Sequence, residues 1–280
     1  MNEPLSSHTT LRIGGLADCF YEATNSGELI KAVRLARTFD VPVTVIGGGS
    51  NVLVSDLGIR GLVIKNRGGK IEVREKNQNG GGRLPQLEYE IRNDDEGRIT
   101  GQARNDDVED DLEKPTEARW VAAKEGTMKY DFRDLNYDES ECSDVEVEID
   151  SGVNLTGAMI QLFEQGVTGL QWYARIPGTI GGAVFNNIHG GSHVFAEIVQ
   201  DVIVLTKQGD VLKIPAKSMG FEYDKSRIHK SGEIVLGAVL RLKRGDVNKA
   251  KWVAEEWRKR KASQPVNSAG CVFKNISEEA

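Results

Sequence analysis

Cysteine, basic excess and long apolar runs are all scarce in this chain, and each scarcity closes off a class of function. The three cysteines, Cys19, Cys142 and Cys271, are odd in number and far apart. That speaks against a disulfide scaffold or a zinc site and for free thiols in a reducing compartment. Lysine and arginine total 36 against 42 aspartates and glutamates, a net charge of -6. A general nucleic-acid binder carries a basic excess, so that class is set aside. No apolar run approaches the length that crosses a bilayer, and Met1-Asn2-Glu3-Pro4 lacks the basic and apolar regions of a leader. The expectation is a cytoplasmic protein with no nucleic-acid partner and no membrane insertion. Histidine is scarce as well, with four residues. His189 and His193 stand four apart in a glycine-rich stretch, which suits a polar loop better than a metal site.

What is present is unevenly placed. The 280 residues suffice for one large domain or two to three small ones. From Gly80 to Ser143 there are 18 acidic and 9 basic residues, a local net of -9, so the other 216 residues carry +3. A stretch so charged and so poor in aliphatic residues does not readily offset the entropy of ordering. It is expected to be a mobile, solvated insertion, with Leu87–Ile91 and Arg119–Ala123 as less polar patches. A partner-binding arm or a lid is the sharper alternative.

The flanks have globular periodicity. Apolar residues at Leu29, Ile30, Val33 and Ala36 predict a helix over Glu28–Phe39, followed by a strand at Val41–Ile46. Leu53-Val54 and Leu62–Ile64 predict further strands, and Val145–Ile149 alternates strictly. Asn154–Gln165 and Val247–Arg260 read as helices, with strands at Val202–Leu205, Val211–Ile214 and Ile234–Leu242. Helices among short strands make the fold class α+β.

Glycine is abundant, at 31 residues, and two clusters stand out. Ile46-Gly47-Gly48-Gly49-Ser50-Asn51 follows a strand, where backbone amides can approach an anion closely. It is neither the dinucleotide fingerprint, since Val52-Leu53-Val54 continues as strand, nor a Walker loop. Three glycines and a serine also suit a tight turn. The second cluster runs Arg175-Ile176-Pro177-Gly178-Thr179-Ile180-Gly181-Gly182-Ala183 and on to Asn186-Asn187, and it too suits a turn before a short helix. Two such loops in one chain point to a dinucleotide held between two lobes.

Four motifs now stand in order: Thr9-Thr10-Leu11-Arg12-Ile13-Gly14-Gly15-Leu16-Ala17-Asp18, the Gly47 loop, the Ile176–Asn187 loop, and Ser268-Ala269-Gly270-Cys271-Val272-Phe273-Lys274-Asn275. Together they resemble the UDP-N-acetylenolpyruvoylglucosamine reductase (UDP-N-acetylmuramate dehydrogenase) family over about all of the chain outside the acidic insertion. The resemblance implies a two-lobed FAD-binding fold of the vanillyl-alcohol-oxidase type plus a substrate-binding domain. It implies FAD as cofactor, NADPH as hydride donor and a UDP-sugar as substrate, whose enolpyruvyl ether is reduced to UDP-N-acetylmuramate for peptidoglycan. On that pattern 1–67 is the first FAD-binding lobe, 68–144 the insertion, 145–245 the second lobe, and 246–280 the start of a truncated substrate-binding domain.

The resemblance also implies roles. Ile46, Gly47, Gly48, Gly49, Ser50 and Asn51, with Arg175, Ile176, Pro177, Gly178, Thr179, Gly181, Gly182 and Ala183, fall on the FAD. Cys271 falls where many members carry a proton-donating serine. A thiol, with a reference pKa of about 8.5, is a feasible donor, although a free cysteine is ordinarily a buried apolar residue. Lys261, Lys274 and Asn275 fall on the substrate side, Lys261 within the charge run Arg258–Lys261 that solvent ordinarily covers. Two departures stand out. The family's Tyr-Arg-x-Ser is Tyr223-Asp224-Lys225-Ser226 here, with strand alternation turning Lys225 away. The chain also stops at Ala280 with no counterpart to a later glutamate. A catalytically impaired FAD- or nucleotide-binding homologue is therefore the alternative.

Overall fold

A computed structural model describes residues 1–75, 135–262 and Ser268. The expectations for the acidic stretch over 80–134, and for Cys271, Lys274 and Asn275, lie outside the described residues. In chain order the strands are β1 (Glu3–Pro4), β2 (Leu16–Ala23), β3 (Val43–Ile46), β4 (Ile59–Asn66), β5 (Ile71–Glu75), β6 (Asp144–Asp150), β7 (His189–Gly190), β8 (His193–Val194), β9 (Val199–Leu205), β10 (Val211–Pro215) and β11 (Ile234–Lys243). The helices are α1 (Ser26–Thr38), α2 (Leu155–Glu164), α3 (Ile180–Asn186), α4 (Ile228–Ser231) and α5 (Val247–Arg260).

The first sheet has the order β1-β2-β4-β3. β4 runs parallel to both β2 and β3, and only β1 is antiparallel. Parallel strands need a long connection, and α1 supplies the one from β2 to β3, which flank β4 on either side. α1 starts where Asn25 Oδ1 accepts the Glu28 N–H at 2.9 Å and Glu28 reaches back to the Thr24 N–H at 2.8 Å. This reciprocal cap holds the Glu28 carboxyl below its ordinary range. Leu29, Val33 and Ala36 then fall on one buried face.

The second sheet is antiparallel throughout, in the order β10-β9-β11-β6-β5. β6 shows why the alternation is informative: Val145, Val147 and Ile149 are buried while the acidic residues between them are half-buried. Its apolar face packs with Leu155, Leu162 and Phe163 of α2 and Val253 and Trp257 of α5 in the main core. The two sheets meet across α1, where Leu29 and Val33 share a cluster with Leu205 of β9 and Leu236 of β11. Arg34 adds a 2.6 Å bond to the Gly209 carbonyl in the β9–β10 turn. Among the described residues no helix is long and apolar enough to cross a membrane.

Two local expectations are corrected. Leu53-Val54 is not a strand. Residues 51–58 run irregularly over the Gly14–Gly15 backbone, with the Gly15 N–H bonded to the Ser55 carbonyl at 2.9 Å, Val54 buried and Leu53 exposed. Tyr223–Lys225 is not a strand either. Two backbone bonds between Glu222 and Lys225, of 3.1 and 3.2 Å, close a tight turn with Asp224 at φ 53°. Segment 68–144 is part of the fold at both described ends. β5 extends the second sheet, Leu135 is core, and Glu139 accepts bonds from Thr168 at 2.6 Å and from Tyr137 at 3.2 Å.

Candidate functional site

β3 lies at one edge of the first sheet, and its C-terminal end delivers buried Ile46 to the Gly47–Asn51 loop. The carboxyl ends of parallel strands are where open α/β sheets hold ligands. From the other lobe, Arg175–Thr179 leaves the short turn at Gln171–Tyr173 and enters α3. Backbone bonds fix it to the segment after β6. Ile180 N–H donates to the Val153 carbonyl at 2.9 Å, Gly181 N–H to the Ser151 carbonyl at 2.8 Å, and Leu155 N–H to the Gly178 carbonyl at 3.0 Å.

These two loops touch. Ser50 Oγ donates to the Pro177 carbonyl at 2.8 Å. A Cβ on Gly47 would overlap the Thr179 hydroxyl, and one on Gly48 would lie 3.2 Å from Gly178 Cα. Gly49, at φ 67°, has the His8 carbonyl where its Cβ would be, and its own carbonyl accepts the Thr10 N–H at 3.0 Å. Among the described residues no hydrogen bond takes up the N–H groups of Gly48, Gly49, Ser50, Asn51, Gly178 or Thr179. Free amides on touching glycine loops are the donor set that a pyrophosphate requires. Gly182, one turn into α3, is open: a Cβ there would meet nothing closer than Thr179 Oγ1 at 3.8 Å. The residues present therefore fit a dinucleotide.

Cations flank the cradle. On the first lobe Lys65, the register partner of Ile46, sits 3.1 Å from His8 Nδ1, and His8 Nε2 lies 2.9 Å from Glu3. On the second lobe Arg175 holds a left-handed φ of 60°. Just past α5, the Lys261 ammonium rests 4.3 Å over the Trp257 ring. Burial, and then the Arg175 guanidinium, pull Lys261 down from 10.5 to about 8. Between α2 and α5 a groove of about 720 Å³ is floored by Met159, Ile160 and Phe163 and edged by Arg175 and Arg258. The charge run did not become a wholly solvated face: Arg258 and Lys259 pair with Glu255 and Glu256, while Lys261 folds inward.

The model of the family described as FAD binding domain matches residues 17–81 and 121–215, a span holding both glycine loops. The chain belongs to the FAD-binding domain family. The expected α+β FAD-binding fold and the FAD cofactor agree with that membership. The chain is 28% identical to the UDP-N-acetylenolpyruvoylglucosamine reductase of Lachnoclostridium phytofermentans over 98% of its own length and 69% of the relative's. It is 29% identical to the enzyme of the same name from Agathobacter rectalis, over 98% and 70%. Among solved structures it superposes on the UDP-N-acetylenolpyruvylglucosamine reductase of Thermus caldophilus with a TM-score of 0.62 at 22% identity, covering 98% of this chain and 74% of that one.

Within this FAD-binding domain, the residues singled out by sequence separate into groups. Ile46–Asn51 and Pro177–Ala183 converge, whereas Arg175 edges the α2–α5 groove and is close enough to Lys261 to lower its pKa. Sequence reasoning missed Ser151, whose carbonyl holds Gly181 and whose Oγ accepts from Asn66 Nδ2 at 2.8 Å. It also missed His8, whose carbonyl lies where a Gly49 Cβ would be, and gave no role to Thr10 of the first motif, whose N–H donates to the Gly49 carbonyl. The one local signal was the Asp150-Ser151-Gly152 turn after an alternating strand.

Proposed function

We propose that the protein is a cytoplasmic UDP-N-acetylenolpyruvoylglucosamine reductase that uses NADPH in peptidoglycan precursor synthesis. The observation that carries this reading is the pair of touching glycine loops with free amides, in a chain aligned over 98% of its length with relatives of that name. Bound FAD would supply a two-electron centre able to take a hydride from a nicotinamide and pass it to an electron-poor enol carbon.

The chain's own residues provide placement and charge. The amides of Gly48–Asn51 and of Gly178 and Thr179 would hold the FAD pyrophosphate between lobes 1–67 and 145–245. Lys261, with Arg175 beside it, meets the phosphates of the UDP-sugar at the start of the substrate-binding part, 246–280. Lys274 and Asn275 join them on the substrate side. Cys271 gives its thiol proton to the carbon left electron-rich after reduction. One observation favours a second reading, an FAD- or nucleotide-binding homologue with impaired catalysis: an anion, Asp224, stands at the exposed tip of the turn after Tyr223.

The test is spectroscopic. The purified protein is expected to carry flavin absorbance, to bleach with NADPH without oxygen, and to regain its colour when UDP-N-acetylenolpyruvoylglucosamine is added. Absence of bound FAD overturns both readings. Bleaching without recovery leaves only the second.

A further inference from the structure

The chain crosses from the first sheet to the second between β4 and β5, where Gly68 and Gly69 hold φ of 75° and 130°. Glycine adopts such angles without strain, so the crossing by itself leaves the angle between the sheets open. Contacts with the turn after β6 close it. The Gly68 N–H donates to the Gly152 carbonyl at 2.9 Å, and the Lys70 N–H to Asp150 Oδ2 at 3.1 Å. Beside them Asn66, the last residue of β4, donates from Nδ2 to Ser151 Oγ at 2.8 Å. A Cβ on Gly152 would lie 2.8 Å from Asn66 Oδ1, so the amide is pressed onto this turn. Asn66 is 6% exposed and Ser151 1%, which makes the bond a link between lobes that water does not reach.

Each partner roots one of the glycine loops. Asn66 follows Lys65, the register partner of Ile46, from which Gly47–Asn51 departs. The Ser151 carbonyl accepts the Gly181 N–H at 2.8 Å at the start of α3, and the Ser151 N–H donates to the Leu236 carbonyl of β11 at 2.9 Å. The loops are thus tied at their tips by Ser50 and Pro177 and at their roots by Asn66 and Ser151. We propose that Asn66 is a positioning residue for the cofactor: through Ser151 it fixes the spacing at which the two sets of loop amides face a pyrophosphate. The inference rests on the reading above that these amides hold FAD. Amides already held at the right spacing avoid an ordering cost when the ligand binds. An amide–hydroxyl pair supplies that rigidity without burying a charge.

The experiment measures the FAD dissociation constant of the full-length protein, from the flavin fluorescence regained when the holoprotein is diluted. Urea midpoints of the same chains after flavin removal are measured beside it. Asn66→Ala and Ser151→Ala are each expected to weaken FAD binding about tenfold, and the double alanine variant no more than either alone, since one bond is lost in all three. The pair Asn66→Leu with Ser151→Ala replaces both polar groups by apolar ones. It is expected to regain the urea midpoint while FAD stays about tenfold weaker. Arg34→Met removes a different bond between the lobes, to the Gly209 carbonyl, and is expected to keep native FAD affinity. Native FAD affinity in Asn66→Ala overturns the inference. Recovery of FAD affinity in the apolar pair, or a loss in Arg34→Met as large as in Asn66→Ala, assigns the bond to stability alone and overturns it as well. A native protein that binds no FAD strikes instead at the proposed function.

Discussion

The two glycine loops use glycine for opposite reasons. In Gly47–Asn51 the space a side chain would take is already filled: the Thr179 hydroxyl lies against Gly47, the Gly178 backbone against Gly48 and the His8 carbonyl against Gly49. In the second loop Gly181 is packed against Ser151, but Gly182 faces open space. The first loop is glycine-rich because the protein comes close to itself. At Gly182 the protein leaves the space free, and that is the side on which a ligand can approach. Similar composition thus hides one loop that is mainly architecture and another that turns one glycine outward.

Substitutions can break that contrast. Gly49→Ala should have the largest effect. It combines a left-handed φ of 67° with overlap of a backbone carbonyl that cannot rotate away, and should lower stability by about 3 kcal/mol or more in urea unfolding. Near-native stability would mean that the loop is not packed down on His8. Gly181→Ala places a methyl 2.9 Å from Ser151 Cβ, partly offset by better helix propensity, and a net loss of about 1–2 kcal/mol is expected. Gly182→Ala should leave stability unchanged or raise it by up to about 1 kcal/mol, yet weaken FAD binding in a flavin-release titration. Retained FAD affinity there would show that the open face is not the cofactor's.

The smallest effect expected is a pH dependence at Lys261. Its folded pKa, about 8, lies below the ordinary 10.5, so the unfolded chain binds more protons between those values. Stability should therefore rise as pH climbs from about 8 to 10.5, as the buried ammonium becomes neutral. UDP affinity should move the other way, falling as pH passes 8 and the charge is lost. Lys261→Arg should remove that decline. A Lys261→Met variant with native UDP affinity at pH 7 would place the phosphates elsewhere.

Much of this was legible along the chain. The helix over Ser26–Thr38 announced itself by apolar spacing, and Val145–Ile149 by strict alternation, because one buried face imposes a period on the residues that fill it. Leu53-Val54 misled because its apolar character comes from Val54 packing under Gly14, not from a ladder. Tyr223–Lys225 misled because a two-bond turn leaves no periodic trace. Ser151 and His8 were silent because they act through backbone carbonyls, which every residue possesses. Lys261 looked solvated because its neighbours are charged, whereas helix geometry turns it onto Trp257, four residues earlier.

The sequence alone determined the α+β class, the two glycine clusters and the division of charge into an acidic stretch and a mildly basic remainder, since these follow from composition and local period. It could not say that Ser50 would meet Pro177, 127 residues away, or that Asp224 would face His189. Those pairings arise when α1 joins the two sheets through Leu29, Val33, Leu205 and Leu236, and when Asn187 and Ser226 tie the turn to α3. Burial of a shared apolar surface sets the separation of the lobes, and that separation decides which amides and charges converge on one ligand.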